Sequence, residues 1–181
     1  MIRALLALLL AAAPAAAQSP FFLDITPRFA LTDQFGDART EADYQGKPML
    51  IFFGYTKCES ICTVALPAMA DALDLLGEEA ENLTPILITI DPKNDTPEQL
   101  KTALPDWHDD LIGLTGSEEA LEAARDVFQI QREVLFETPY GDPVYAHGSF
   151  IYLTDKAGKV QSVLPPILGP ERLAEIIRKQ I

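Results

Sequence analysis

Two uninterrupted apolar runs constrain this chain more than any other feature: "KPMLIFFGY", ending at Gly54 and Tyr55, and "LTPILITID", ending at Asp91. Neither alternates with polar residues, so each predicts a strand buried on both faces, which only a sheet covered by helices provides. The segments between and after them carry helical signals. Ile61, Ala65, Met69, Ala72 and Leu76 recur at helical spacing, with Gly77 placed to end the helix. "TPEQLKTAL" offers Thr96 as N-cap, Pro97 at the first helical position and Glu98 behind it, and "SEEALEAARDVF" is capped by Ser117. "DLIGLTG" is a short strand. "SFIYLTDKAGKVQSVL" is a strand, a turn at Lys156 to Gly158 and a returning strand, and "GPERLAEIIRKQI" is a closing helix. "RFALTDQFGDAR" predicts an N-terminal β-hairpin about Gln34 to Asp37. The expected class is therefore α/β, with a central mixed sheet flanked by helices.

The first residues stand apart. "MIRALLALLLAAAPAAAQSP" has one early base, Arg3, an apolar stretch too short to span a bilayer comfortably, and an Ala-x-Ala ending. It reads as a signal peptide over residues 1–17, cut after Ala17, with an uncleaved anchor helix as the alternative. Residues 18–27 follow as a tail and residues 28–181 as one domain. The mature protein is expected in the periplasm, soluble and monomeric, where disulfides form and persist. The whole chain carries a formal charge of −13, and losing residues 1–17 removes one base and no acid. Such a surface repels phosphate backbones and excludes nucleic acid as a partner.

Both cysteines of the chain fall in "GYTKCESICT", as Cys58 and Cys62. They follow a buried strand and precede a helix, at the carboxyl edge where open α/β sheets place their sites. The dipole of the following helix and the adjacent Lys57 favour thiolate, and Glu59 opposes it. If residues 58–62 are helical, the pair shares one face. Pro67 instead starts the regular helix around Thr63 and leaves the pair in a turn. A structural disulfide is the weakest of three readings, because so small a ring restricts the unfolded chain little. A redox couple and a metal clamp remain. Three intervening residues differ from the two of thioredoxin-type and zinc-knuckle motifs, and a clamp must recruit histidine. His108 in "PDWHDD" reads as a solvated loop histidine. His147 in "DPVYAHGSF" either caps its loop or supplies a third ligand. Two thiolates and an imidazole form a soft set suited to Cu(I), and further oxygen or nitrogen donors extend it to Cu(II).

Three segments, "GKPMLIFFGYTKCESIC", "LITIDPKNDTPEQLKTAL" and "YAHGSFIYLTDKAG", together resemble the Sco/SenC family, thioredoxin-like copper-binding factors for assembly of cytochrome oxidase. The family pattern is a Cys-x-x-x-Cys pair, an Asp-Pro-x-x-Asp-Thr-Pro segment and a histidine before a strand. Here these fall on Cys58 and Cys62, on Asp91, Pro92, Asp95, Thr96 and Pro97, and on His147. The resemblance implies a thioredoxin-like fold with an extra N-terminal hairpin, and a Cys2His copper site closed by His147 from the loop entering "FIYLTD". It also implies copper transfer from a periplasmic donor to a cuproenzyme, above all the dinuclear copper A centre of oxidase subunit II, or reduction of that subunit's cysteines. Asp91 resembles a family acid near the site, and is also a turn residue before Pro92. Glu59, Ser60 and Thr63 stand where the family has Pro, Asp and Pro, and Ala146 stands where an aspartate usually precedes the histidine. Two alternatives from other classes accompany the chaperone. One is a thiol-disulfide oxidoreductase in which Cys58 attacks and Cys62 resolves, with no need of His147. The other, a peroxide-reducing enzyme, rests only on Thr56 near Cys58 and lacks the proline of that loop.

Overall fold

The computed structural model describes residues 24–181; the predicted signal peptide and most of the predicted tail lie outside them. Nine strands and four α-helices follow one another. The predicted hairpin is β1 (Ala30–Asp33) and β2 (Ala38–Thr40), paired antiparallel with Ala30 opposite Thr40. Its turn is organised by Asp33, whose carboxylate accepts from the Phe35 and Asp37 N–H groups and pairs with Arg39 at 2.7 Å. The two apolar runs are β3 (Met49–Gly54), buried along its whole length, and β4 (Thr84–Thr89), buried from Pro85 onward. Between them runs α1 (Cys62–Leu76), stopped where Gly77 turns to φ 57°. Next come α2 (Pro97–Ala103), whose Thr96 hydroxyl accepts from the Gln99 N–H, and β5 (Ile112–Thr115). The helix α3 (Glu118–Val127) follows, capped by Ser117 as expected.

Sequence pattern alone leaves residues 130–148 unassigned, and here the structure adds an element. Chain segments β6 (Arg132–Glu137) and β7 (Pro143–His147) form a separate two-stranded antiparallel ribbon, turned at Gly141 with φ 81°. A bulge between Val134 and Phe136 bends it. The chain then re-enters the main sheet as β8 (Ile151–Thr154) and β9 (Val160–Leu164) and ends on α4 (Pro170–Ile177).

Seven strands make the main sheet in the order β2-β1-β5-β4-β3-β8-β9. Its three middle partners, β5, β4 and β3, are parallel, and β8 closes antiparallel on β3 with Leu50 opposite Leu153. This is the mixed, helix-flanked sheet with an N-terminal hairpin that the sequence predicts. Phe52, Phe53, Ile86, Leu87 and Ile88 are wholly buried within it, and α1 adds Leu66, Met69 and Leu73. Each such side chain contributes about 1.5–3 kcal/mol of transfer free energy. Phe53, Phe128 and Tyr152 stack edge to face, with Phe128 5.0 Å from Phe53 and 4.9 Å from Tyr152.

The packed body begins before Arg28. Ile25 and Pro27 are buried, the Val160 N–H donates to the Ile25 carbonyl at 3.0 Å, and Lys159 pairs with Asp24 at 2.9 Å. The segment expected as a tail is thus tied to β9 from Asp24 onward, because alternating apolar residues find an uncovered edge there. Among the described residues no helix is long and apolar enough to cross a membrane.

Candidate metal centre

Three separate stretches of chain bring their side chains together beyond the carboxyl end of β3. Cys58 lies in the turn after that strand, its N–H donating to the Tyr55 carbonyl at 3.2 Å, and Cys62 is the first residue of α1. Pro67 inside α1 does not delay the helix to Thr63; Pro67 lacks only the donor that would have reached the Thr63 carbonyl, so the turn holding Cys62 still closes. His147 is the last residue of β7. Three residues separate it from β8, and it stands on its own ribbon rather than in a plain loop entering the "FIYLTD" strand. The two sulfurs and one imidazole nitrogen all lie within 4.8 Å of one another, the one such group of three potential metal-binding side chains among the described residues.

The surroundings explain how. Gly54 ends β3 directly under Cys62: a β-carbon there would fall 3.0 Å from the Cys62 sulfur and 2.7 Å from the Phe52 ring. Only glycine lets the sulfur settle so close to the strand. Both cysteines are reduced, Cys62 fully enclosed and Cys58 with 7% of its surface exposed. The Cys62 thiol donates to the Cys58 sulfur, and His147 and the Ser60 and Cys62 N–H groups add to this. Against the opposing effect of burial they hold the Cys58 thiol down at about 4. Cys62, the donor to that thiolate and itself buried, is pushed upward from the ordinary thiol range. The pair therefore carries one proton and one negative charge near neutral pH.

His147 Nδ1 lies 3.0 Å from the carbonyl oxygen of Gly148. A carbonyl only accepts, so Nδ1 carries the proton of this bond, which fixes the orientation of the ring. The orienting role that Ala146 cannot supply falls to this backbone oxygen. Around an ion bonded at about 2.0–2.3 Å, three donors spread trigonally stand roughly 3.5–4 Å apart. The observed group needs only a small contraction to meet that spacing.

Other predicted residues are placed as follows. Asp91 is buried and serves as the turn residue: its carbonyl accepts from the Asn94 and Asp95 N–H groups, and its carboxylate accepts from Asn94 at 2.7 Å and from the Tyr145 hydroxyl at 3.4 Å. Tyr145 in turn packs edge-on against Tyr55, with ring centroids 5.3 Å apart. His108 takes no part in the cluster. It is less open than a solvated loop residue, sitting 3.6 Å from Asp74 of α1 and accepting from the Asp110 N–H. Lys57 reaches away from Cys58 to Asp142.

Sequence reading overlooks Asp95 as a structural post. Its buried carboxylate accepts from the Thr56 N–H at 3.1 Å and from both the Thr56 and Thr89 hydroxyls, pinning the cysteine turn to the end of β4. Burial pushes this carboxyl upward, with Thr56 and Thr89 pulling against it. Its only sequence signal is the Asp-Thr-Pro run that also starts α2.

A mixed α/β domain with two thiols and an imidazole gathered at the exit of a central strand defines a thioredoxin-like protein with a soft-metal or thiol-redox centre. Comparison with known sequences and structures makes this particular. Residues 17–181 match the SCO1/SenC family, and the chain belongs to it. An SCO2-like protein of Rickettsia conorii is 35% identical over 157 residues, which cover 84% of this chain and 75% of the relative. Bradyrhizobium japonicum ScoI, solved with copper bound, superposes with a TM-score of 0.80 at 32% identity, over 87% of this chain and 99% of that one. BsSco belongs to the Sco family of cytochrome c oxidase assembly proteins and has an identified disulfide switch; it superposes with a TM-score of 0.68 at 27% identity, over 87% and 94%. The thioredoxin-like fold expected from the motifs is borne out by these matches.

Proposed function

We propose that the protein is an exported copper chaperone that holds one copper ion through Cys58, Cys62 and His147 and passes it to a cuproenzyme, the copper A centre of cytochrome oxidase subunit II. The observation that carries this reading is the convergence of three soft donors from three distant stretches of chain within 4.8 Å. Copper bound to B. japonicum ScoI and the oxidase-assembly role of the family of BsSco support it.

Copper is cargo here, and the residues are suited to lend it. One thiolate is ready at neutral pH, and Cu(I) binding displaces the proton held by Cys62. His147 sits on a ribbon outside the main sheet, so it is the ligand best placed to withdraw as a partner's cysteine or histidine enters. Removal of residues 1–17, with residues 18 onward leading into the domain, delivers the site to the periplasm. A periplasmic donor loads it there. Oxidation to a Cys58–Cys62 disulfide removes both sulfur ligands.

The test mixes the reduced, Cu(I)-loaded protein with the apo soluble domain of subunit II, then separates the two and measures metal in each. Copper should move to subunit II. Copper that stays behind contradicts the proposed recipient. A second reading has its own observation: a Cys58 thiolate beside a protonated Cys62 is the arrangement of an attacking and a resolving thiol. Undiminished reduction of a subunit II disulfide by His147→Ala, with no copper transferred by the wild type, favours that oxidoreductase reading.

A further inference from the structure

The ribbon that carries His147 makes its dense contacts within itself and shares no hydrogen-bonded pairing with the main sheet. The apolar side chains of β6 do not pin it: Val134, Leu135 and Phe136 are 51%, 57% and 59% exposed. Apart from the Tyr145 ring, which packs edge-on against Tyr55, what joins it to the body is polar. At its base Arg132 donates to the Ile90 carbonyl, pairs with Glu118 at 2.8 Å and stacks over Tyr145. Midway, Tyr145 reaches Asp91 and Tyr55 through long hydrogen bonds of 3.4 and 3.5 Å. At the turn, Asp142 is aimed by its own loop, its N–H donating to the Thr138 hydroxyl, and meets Lys57 Nζ at 2.7 Å. Lys57 immediately precedes Cys58 and also donates to Asn94 at 3.3 Å.

We propose that the Lys57–Asp142 ion pair is a latch that holds the His147 ribbon over the cysteine turn, making Lys57 and Asp142 positioning residues for the third copper ligand. The part concerning copper rests on the ligand set proposed above; the latch itself does not. Arg132, opposite His147, ties the ribbon at its base, and the ion pair ties its turn to the residue beside the first sulfur; opening the pair leaves the ribbon held at one end only, so it tilts about that base and His147 loses its fixed aim at the sulfurs. It is an ordinary half-exposed ion pair, with side chains 48% and 27% exposed. Its effect on Cu(I) affinity is therefore about two- to fivefold, and salt weakens it. A latch of that strength suits a ligand that must be released on docking.

The test uses the reduced full-length mature protein and its Lys57→Gln, Asp142→Asn and double variants. In the apo protein, nuclear Overhauser contacts between the Tyr55 and Tyr145 rings, 5.3 Å apart when the ribbon is seated, report its position directly. These contacts should weaken in each single variant, weaken no further in the double, and fall in the wild type as sodium chloride is raised. Cu(I) affinity should drop about two- to fivefold in each single variant and no further in the double, with thermal midpoints unchanged. Wild-type ring contacts in either single variant overturn the latch. So does an affinity lost in Lys57→Gln but raised in Asp142→Asn, the result expected if Lys57 acts only by its charge on Cys58. Failure of the wild type to bind copper refutes the ligand set alone, because the ring contacts still decide whether the latch exists.

Discussion

Cys58, in the turn after β3, and Cys62, the first residue of α1, have different surroundings. Cys58 accepts hydrogen bonds from Cys62, His147 and two backbone N–H groups, and Cys62 donates one from an enclosed position beneath Gly54. The ultraviolet thiolate absorbance of the reduced protein should accordingly persist down to about pH 4. In Cys62→Ala, which removes the largest of the donors, that step should move up toward the ordinary thiol value of about 8.5; an unchanged step contradicts the assignment. At Gly54 a methyl group has no room, so Gly54→Ala should weaken Cu(I) binding and lower stability together, as measured by competition titration and chemical denaturation. Sequence pattern gives the chemistry-bearing residues at this scale, because thiols and a histidine are rare in the chain. It is silent on Gly54 and Asp95, whose importance lies in a close approach and a burial that only the folded neighbours create.

At the scale of elements, the decisive piece is the link between the end of β4 and the cysteine turn. Asp95→Ala leaves the Thr56 N–H and the Thr56 and Thr89 hydroxyls without their acceptor in a buried setting. Stranding such donors costs on the order of 2–4 kcal/mol, so the denaturant midpoint should fall while the m-value holds; a loss within experimental error contradicts the role. The strands and helices with strong period or clear caps were legible: β3 and β4 from their apolar runs, α2 from Thr96 and Pro97, α3 from Ser117. The β6–β7 ribbon was not, for a physical reason. It has no fully buried face to impose alternation, Val134, Leu135 and Phe136 of β6 point to solvent, and a bulge breaks what period remains. The stop of α3 falls where the sequence places it, although Gln129 rather than glycine takes the left-handed conformation there, φ 56°. His147 was thus recognisable by its motif while the element that carries it was not.

For the whole molecule, the site and the stability are linked through one proton. From about pH 4 to about 8.5 the folded reduced protein holds one proton fewer than the unfolded chain at Cys58, so stability rises with pH, and this contribution is lost as pH falls through about 4. Above about 8.5 the unfolded chain also releases the proton of Cys62, which the folded state retains, and the contribution falls again. The difference in stability between the reduced wild type and Cys58→Ala/Cys62→Ala should peak near pH 8.5. A flat difference across that range contradicts the shared-proton description. The fold class, the sheet exit that holds the site and the acidic surface all follow from sequence pattern. The order of the seven strands and the separateness of the ribbon depend on pairings between distant segments, which local signals do not encode.

Anaerobic titration of the reduced mature protein with Cu(I) against a competing chelator tests the central claim most directly. One copper should bind per chain, with affinity lost on Cys58–Cys62 oxidation and in Cys62→Ser, and reduced at least about tenfold in His147→Ala. No competitive binding, or binding indifferent to His147, would contradict the Cys2His copper site.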